Sequence, residues 1–356
     1  MSSPYLVVIG TRPEAIKLAP IVRLLGDEAI VVSTGQHREM LIPLMERLGI
    51  SPDADLQTMR PGQSLSSLTA ALMVGLASVI QRVEPRSVIV QGDTTSAMTA
   101  ALCAFYQKID VAHVEAGLRS GVRDNPFPEE VNRRIISQIA RWNFAPTLRA
   151  GDNLRRSGVD GEIEVTGNTV VDNLHWVMSE GLGRSHFVSA KKRILVTLHR
   201  RENQGAVMED LAAALIGIAG RGDVEILLPL HKSPTVRQSL SSLHGRSGIR
   251  LIEPMDYFDF VSTMASSSIV LTDSGGVQEE APTFGKPVLV LRETTERPEA
   301  VDAGMARLVG VDCNVVVKHT TELLDDALAY EAMAGGSNPY GDGRAAERIV
   351  GHLLGS

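Results

Sequence analysis

The 356-residue chain is poor in several features, and each shortage excludes a class of protein. Two cysteines occur, Cys103 and Cys313, with no CxxC and no Cys/His spacing suited to a metal ion. A disulfide framework is therefore excluded, and two reduced, inert thiols are expected. Positive charge is also short: 35 Lys and Arg face 42 Asp and Glu, for a formal charge of -7. A nucleic-acid surface needs the opposite balance, so a local basic cluster reads as a site for a small anion. The first residues carry no basic region, and the apolar run Leu6 to Ile9 falls far short of a signal core or of the ~20 residues of a membrane span. A cytoplasmic protein without a membrane or nucleic-acid partner is expected. No repeat, low-complexity tract or heptad run appears, and neither GxGxxG nor a P-loop follows the first strand, which removes the main support for dinucleotide or ATP binding.

What is present is alternation. Short runs of Val, Ile and Leu alternate with helix-period segments nearly end to end, the pattern of βα units around parallel sheets, and the length suits two such domains with a ligand cleft between them. The first series of strands is predicted at 5–9, 30–33, 88–90, 111–114, 142–145 and 163–166. The second is predicted at 194–197, 225–228, 250–252, 269–272, 287–291 and 307–309. A helix over 170–180 and a Gly- and Ser-bearing stretch, 181–192, read as the connection. The expected domains are 1–168, rejoined by a terminal amphipathic helix 344–356, and 169–343. The fold class is α/β, two Rossmann-like domains with parallel sheets.

The candidate chemistry sits at predicted strand ends, which converge on the ligand crevice of open α/β sheets. Thr272-Asp273-Ser274-Gly275-Gly276 runs from a buried strand into a turn expected to open a helix. Its free N–H groups and dipole would suit phosphate, with Glu280 a turn further on, although an N-cap serine followed by acidic residues explains the same letters. Gly10-Thr11-Arg12-Pro13 to Lys17 places Arg12 and Lys17 about a helical turn apart after the first strand, either as a clamp for a diphosphate or as solvated charges. Asp93, Glu115 and His199 each stand just past a strand, and Glu129 and Glu130 open a helix. Singly each fits a cap or a salt bridge, but together they suit acid–base chemistry. His231 is a weaker strand-end candidate. Lys191-Lys192-Arg193 reads as a solvated loop, His175, His186 and His244 as surface residues, and the methionines as core filling.

Taken in order, Gly10 to Lys17, Gln36-His37-Arg38, Gly92 to Thr95, His113 to Arg119, Pro128 to Glu130, His199 to Glu202, Thr272 to Pro282, Thr294 to Glu299 and Asn338 to Gly343 resemble the bacterial non-hydrolysing UDP-N-acetylglucosamine 2-epimerases. The resemblance covers essentially the whole chain. It implies a GT-B-like pair of domains with the active site in the interdomain cleft, a homodimer, and a UDP site of Arg12, Phe260, Ser274, Gly275, Gly276, Glu280 and Arg297. Lys17, Asp93, Glu115, Glu129 and His199 would be the matched active-site residues. It also implies a second UDP-N-acetylglucosamine as an activator, at positions matching Gln36, Glu129, Arg200 and His231. The chain departs from the pattern at Met255, where a glutamine occurs near the uracil in some members, and at Leu198, where a smaller residue often precedes the histidine. At the activator site it departs at Glu39, in place of a glutamine, and at Gly62, in place of an arginine.

The implied reaction is reversible inversion at carbon 2 by elimination of UDP and re-addition through 2-acetamidoglucal. No hydride moves, so no redox cofactor is required, and no metal-ligand spacing is present. A hydrolysing 2-epimerase, a GT-B glycosyltransferase and a silent nucleotide-sugar sensor are the competing readings. Product analysis, dependence on an acceptor and turnover separate them in that order.

Overall fold

The computed structural model describes residues 3–35, 38–60, 62–200, 203 and 205–355, without the Arg38 side chain. The chain divides into two units, one of residues 1–173 and 340–356 and the other of residues 174–339.

The first unit alternates β1 (Tyr5–Ile9), α1 (Arg12–Leu25), β2 (Ala29–Ser33), α2 (Arg38–Arg47), β3 (Ala54–Asp55), α3 (Leu65–Val83), β4 (Ser87–Gln91) and α4 (Thr95–Tyr106). It continues through β5 (Asp110–Val114), α5 (Glu129–Ile139), β6 (Trp142–Ala145), α6 (Leu148–Arg156), β7 (Glu162–Val165) and α7 (Thr169–Ser179), in which the chain passes to the second unit. The sheet order is β3-β2-β1-β4-β5-β6-β7, and its pairs are parallel. Helices cover both faces of such a sheet, so β1 and β4 are buried at every residue, and β1 reads as an unbroken apolar run.

The second unit runs β8 (Lys192–Thr197), α8 (Ala206–Ala219), β9 (Val224–Pro229), α9 (Pro234–Ser239), β10 (Ile249–Ile252), α10 (Tyr257–Ala265), β11 (Ile269–Thr272) and α11 (Gly275–Glu280). Then follow β12 (Val288–Val290), α12 (Pro298–Asp302), β13 (Ala306–Leu308), α13 (Cys313–Asp325) and α14 (Ala327–Ala334). Its parallel sheet has the order β10-β9-β8-β11-β12-β13. Each sheet reverses its winding once, between β1 and β4 and between β8 and β11. The loops that leave these strands are where a doubly wound sheet opens to a ligand.

The terminal helix α15 (Ala345–Gly355) belongs to the first unit. The Asp172 carboxylate accepts from the backbone N–H groups of Ala345 and Ala346 at its start, and the Tyr5 hydroxyl donates to the Leu353 carbonyl, 2.7 Å away, near its end. Among the described residues α3 alone is long and apolar enough to cross a membrane. Its stripe Leu68, Leu72, Leu76, Val79 and Ile80 is buried in the core of the first unit.

Three expectations are revised. The 181–192 segment is pinned to its unit: Arg184 N–H donates to Asp259, His186 N–H to the Thr263 hydroxyl, and Val188 and Ser189 N–H to the buried Glu225. Lys191-Lys192-Arg193 is not wholly solvated, since Lys192 donates to the Leu324 carbonyl and Arg193 lies 5.7 Å from the centre of the Phe187 ring. His186 is engaged by Asp259 at 2.9 Å. Cys103 is buried and Cys313 opens α13, and both are free thiols.

Candidate functional site

The winding reversal of the first unit brings the β1–α1 and β4–α4 loops together. Gly10 is needed for their approach, because a Cβ there would lie 2.6 Å from Ser96 Oγ. Thr11 caps α1 in a capping box with Glu14, and Pro13 occupies the first turn. Glu14 is wholly buried and ties the loops, accepting from Gly10 N–H (2.8 Å), Thr11 N–H (2.5 Å) and the Thr94 hydroxyl (2.6 Å). Burial pushes its carboxyl up to about 7 against those hydrogen bonds. Arg12 is exposed at the start of α1.

Glu115, just past β5, is the focus of this cluster. Its backbone is left-handed, with φ of 62°, a conformation that costs a non-glycine residue on the order of 1 kcal/mol or more and is kept where surrounding contacts impose it. Lys17 Nζ lies 2.5 Å from Oε1, and the Gln91 amide donates to Oε2. Beneath it His113 is buried and bonded through Nε2 to the Gly92 carbonyl at 2.8 Å, and burial pulls its imidazole down to about 4. Asp93, in the turn after β4, is gripped by Nε and Nη2 of Arg133. Glu129 opens α5 half-buried, whereas Glu130 is buried and serves structure, accepting from Arg133, Arg134 and Ser120 N–H. Burial opposes ionisation of Glu130, but the bonds from Ser120 and Arg134 still hold its pKa below the ordinary value.

In the second unit, Thr197 and Thr272 pair across β8 and β11 through their hydroxyls at 2.6 Å, so the loops that follow them are neighbours. One carries His199 and Arg200, the other Asp273 and the Ser274-Gly275-Gly276 turn. The turn does open a helix, but α11 has six residues and Ser274 forms no side-chain cap. The expected helix dipole is therefore small, and guanidinium groups supply the positive charge. A Cβ built on Gly275 would be 3.7 Å from Arg297 Cζ and 3.8 Å from Arg200 Nη2, so two arginines flank the turn. Arg297 is set by Glu279 at 2.7 Å, and the buried Gln278 links the Ser274 carbonyl to the Thr295 hydroxyl beneath it. Arg200 Nη2 is 3.7 Å from Glu296, whose carboxyl is held down at about 2 chiefly by Arg292.

The remaining candidates fall as follows. Glu280 ends α11, its Oε1 3.9 Å from the Cβ position of Gly276. Phe260 is half-buried in α10, and Met255 just before that helix accepts weakly from the Thr263 hydroxyl at 3.5 Å. The His231 ring stacks near His199, with centroids 6.4 Å apart. Gln36 lies outside the described residues. Thus Arg12, Lys17, Asp93, Glu115 and Glu129 share the first unit, and His199, Arg200, His231, Phe260, Ser274, Gly275, Gly276, Glu280 and Arg297 share the second. Sequence reasoning missed the partners that orient them: Arg133 for Asp93, Gln91 for Glu115, Asp273 for His199 and Gln278 for the turn.

Two doubly wound parallel units, one with a carboxylate cluster at its winding reversal and the other with an arginine-flanked turn, have the architecture of a GT-B-like fold. The model of the UDP-N-acetylglucosamine 2-epimerase family matches residues 25–354. The chain is 47% identical to the UDP-N-acetylglucosamine 2-epimerase of Escherichia coli K12, over 97% of this chain and 96% of that one. The crystal structure of the Neisseria meningitidis UDP-GlcNAc 2-epimerase bound to UDP-GlcNAc is 41% identical, with a TM-score of 0.89 over 99% of this chain and 100% of that one. The Methanocaldococcus jannaschii UDP-GlcNAc 2-epimerase in complex with UDP-GlcNAc and UDP is 33% identical, with a TM-score of 0.80 over 99% and 100%. The chain belongs to the UDP-N-acetylglucosamine 2-epimerase family.

Proposed function

We propose that the chain interconverts UDP-N-acetylglucosamine and UDP-N-acetylmannosamine without releasing free sugar. The proton on carbon 2 lacks an adjacent carbonyl, so its direct removal leaves a poorly stabilised carbanion. Coupling that removal to loss of the neighbouring leaving group lowers the barrier. A carboxylate takes the proton, the C–H electron pair becomes the C1–C2 double bond, and the C1–O bond breaks with its pair on UDP. In the reverse sense a proton reaches carbon 2 from the opposite face while a UDP oxygen rebonds to carbon 1, and the configuration is inverted.

The observation that carries this reading is Glu115, a buried carboxylate in a left-handed backbone with Lys17 and Gln91 on its two oxygens. Asp93 and Glu129 supply the further groups that chemistry on two faces of one sugar demands. Arg200, Arg297 and the Ser274 turn suit the charge that grows on the departing phosphate, joined by His199. Arg12 and Lys17 add positive charge to the first unit, and Phe260 and Glu280 are assigned to the nucleoside.

The Neisseria relative binds UDP-GlcNAc, which supports the substrate, and the Methanocaldococcus relative holds both UDP-GlcNAc and UDP, which supports a second nucleotide as activator at Gln36, Glu129, Arg200 and His231. A homodimer is the proposed assembly. Incubation of pure protein with UDP-N-acetylglucosamine and separation of the products tests the function. Nucleotide-linked N-acetylmannosamine is expected; free N-acetylmannosamine with stoichiometric UDP would establish the hydrolysing reaction instead.

A further inference from the structure

One residue at the second winding reversal belongs to neither the nucleotide set nor the acid–base set. Asp273 is 0% exposed, between the end of β11 and the Ser274 turn. Its Oδ1 lies 3.0 Å from Nδ1 of His199, and its carboxylate also accepts from the backbone N–H groups of His199 and Arg200, at 3.0 Å each, and from the Asn203 amide at 3.2 Å. Its carbonyl oxygen accepts from Arg200 Nε at 2.9 Å.

We propose that Asp273 is the positioning residue of the site, a buried carboxylate that fixes the orientation and tautomer of His199 and locks the loop bearing His199 and Arg200 to the phosphate turn. An ionised carboxylate only accepts hydrogen bonds, so Nδ1 of His199 must be its donor. Nε2 is then the reactive nitrogen. That constraint holds whether Nε2 is bare or protonated, so the ring keeps its aim through a reaction cycle. Burial opposes ionisation of Asp273, but hydrogen bonds from His199 and Arg200 outweigh it and keep its pKa below the ordinary value. The His199 side chain is 44% exposed. His231 neighbours it with its own Nδ1 accepting from Ser233 N–H at 3.1 Å, so its Nε2 carries the proton when neutral. Because Asp273 is covalently continuous with Ser274, one side chain sets both the imidazole and the turn.

The role of His199 at the departing phosphate rests on the function proposed above, whereas the tautomer does not. Two measurements separate them. In the wild-type protein labelled with ¹⁵N-histidine, two-dimensional NMR above pH 8 should show His199, identified by its loss in His199→Gln, as the Nδ1–H tautomer. An Nε2–H tautomer would overturn the proposal whatever the reaction is. The second is a double-mutant cycle on kcat with Asp273→Asn and His199→Gln. Asp273→Asn alone should lower kcat by between about 10-fold and 10⁴-fold, the range found when an orienting carboxylate becomes an amide. In the His199→Gln background the loss should be clearly smaller, since only its hold on Arg200 and the phosphate turn remains to be lost. Equal losses in both backgrounds would show that Asp273 merely supports the fold.

Discussion

Lys17 Nζ stands 2.5 Å from Glu115 Oε1 across 98 residues of sequence, the two side chains 13% and 6% exposed. The ammonium holds one oxygen of the carboxylate and Gln91 the other, so the orientation of Glu115 is fixed by partners on both oxygens. We expect Glu115→Gln, Asp93→Asn and Glu129→Gln each to lower kcat by at least ~10²-fold, the usual contribution of a positioned acid or base. Calorimetric UDP affinity should be largely kept. A variant that loses UDP binding while retaining kcat would reverse the division of roles.

Gly275→Ala separates ligand space from folding. Its Cβ would make ordinary contacts of 3.7 and 3.8 Å with Arg297 and Arg200, which the fold tolerates, but it occupies the approach to the turn. UDP affinity should fall at least about tenfold, ~1.4 kcal/mol, with Tm unchanged. Arg297→Ala should lower both, because it also removes a partner of Glu279, which is 3% exposed. Unaltered UDP affinity in Gly275→Ala would remove this turn from the nucleotide site.

The division into two parallel sheets was legible because strands buried on both faces read as apolar runs; Tyr5–Ile9, Trp142–Ala145 and Ile269–Thr272 stand where the sequence predicts them. β3 escaped notice, since two residues carry no period. The 181–192 segment looked like a tether because it is small and polar, yet its backbone donors are taken up by Glu225, Asp259 and Thr263, partners 36 to 77 residues away. The strand-end candidates could be found one loop at a time. What orients them could not: the pairings of Asp93 with Arg133 and of His199 with Asp273 join residues 40 and 74 positions apart and leave no local pattern.

Stability should carry two opposed pH dependences. Buried Glu14 holds its proton to about 7, whereas the unfolded chain releases it near 4.5, so its contribution is full at low pH and is lost as pH rises through 7. Buried His113 stays neutral down to about 4, whereas the unfolded chain protonates near 6.5, so its contribution is full above that value and is lost on acidification toward 4. Each is worth at most about 3 kcal/mol. Glu14→Gln can keep all three hydrogen bonds, accepting from Gly10 and Thr11 and donating to Thr94. Urea unfolding should find it more stable than wild type at pH 8 and equal to it at pH 4.5. The same difference at both values would contradict the raised Glu14.

The activator site should be weak. Glu39 and Gly62 replace a neutral amide and a cation of the related pattern, and the second loss alone removes a charge-assisted bond of about 1.5 to 3 kcal/mol. Running the reverse reaction from UDP-N-acetylmannosamine while titrating UDP-N-acetylglucosamine should show little stimulation at low micromolar activator. A strict requirement for it there would show that these two replacements do not matter.

The central claim is that carbon 2 loses and regains a proton while the sugar stays in the nucleotide product. Pure protein incubated with UDP-N-acetylglucosamine in D2O, followed by proton NMR, reads both facts in one tube. UDP-N-acetylmannosamine should accumulate without added NAD or metal, its carbon-2 proton signal lost to deuterium and the coupling at carbon 1 collapsed. UDP-N-acetylmannosamine that retains its original proton at carbon 2 through many turnovers would contradict the account.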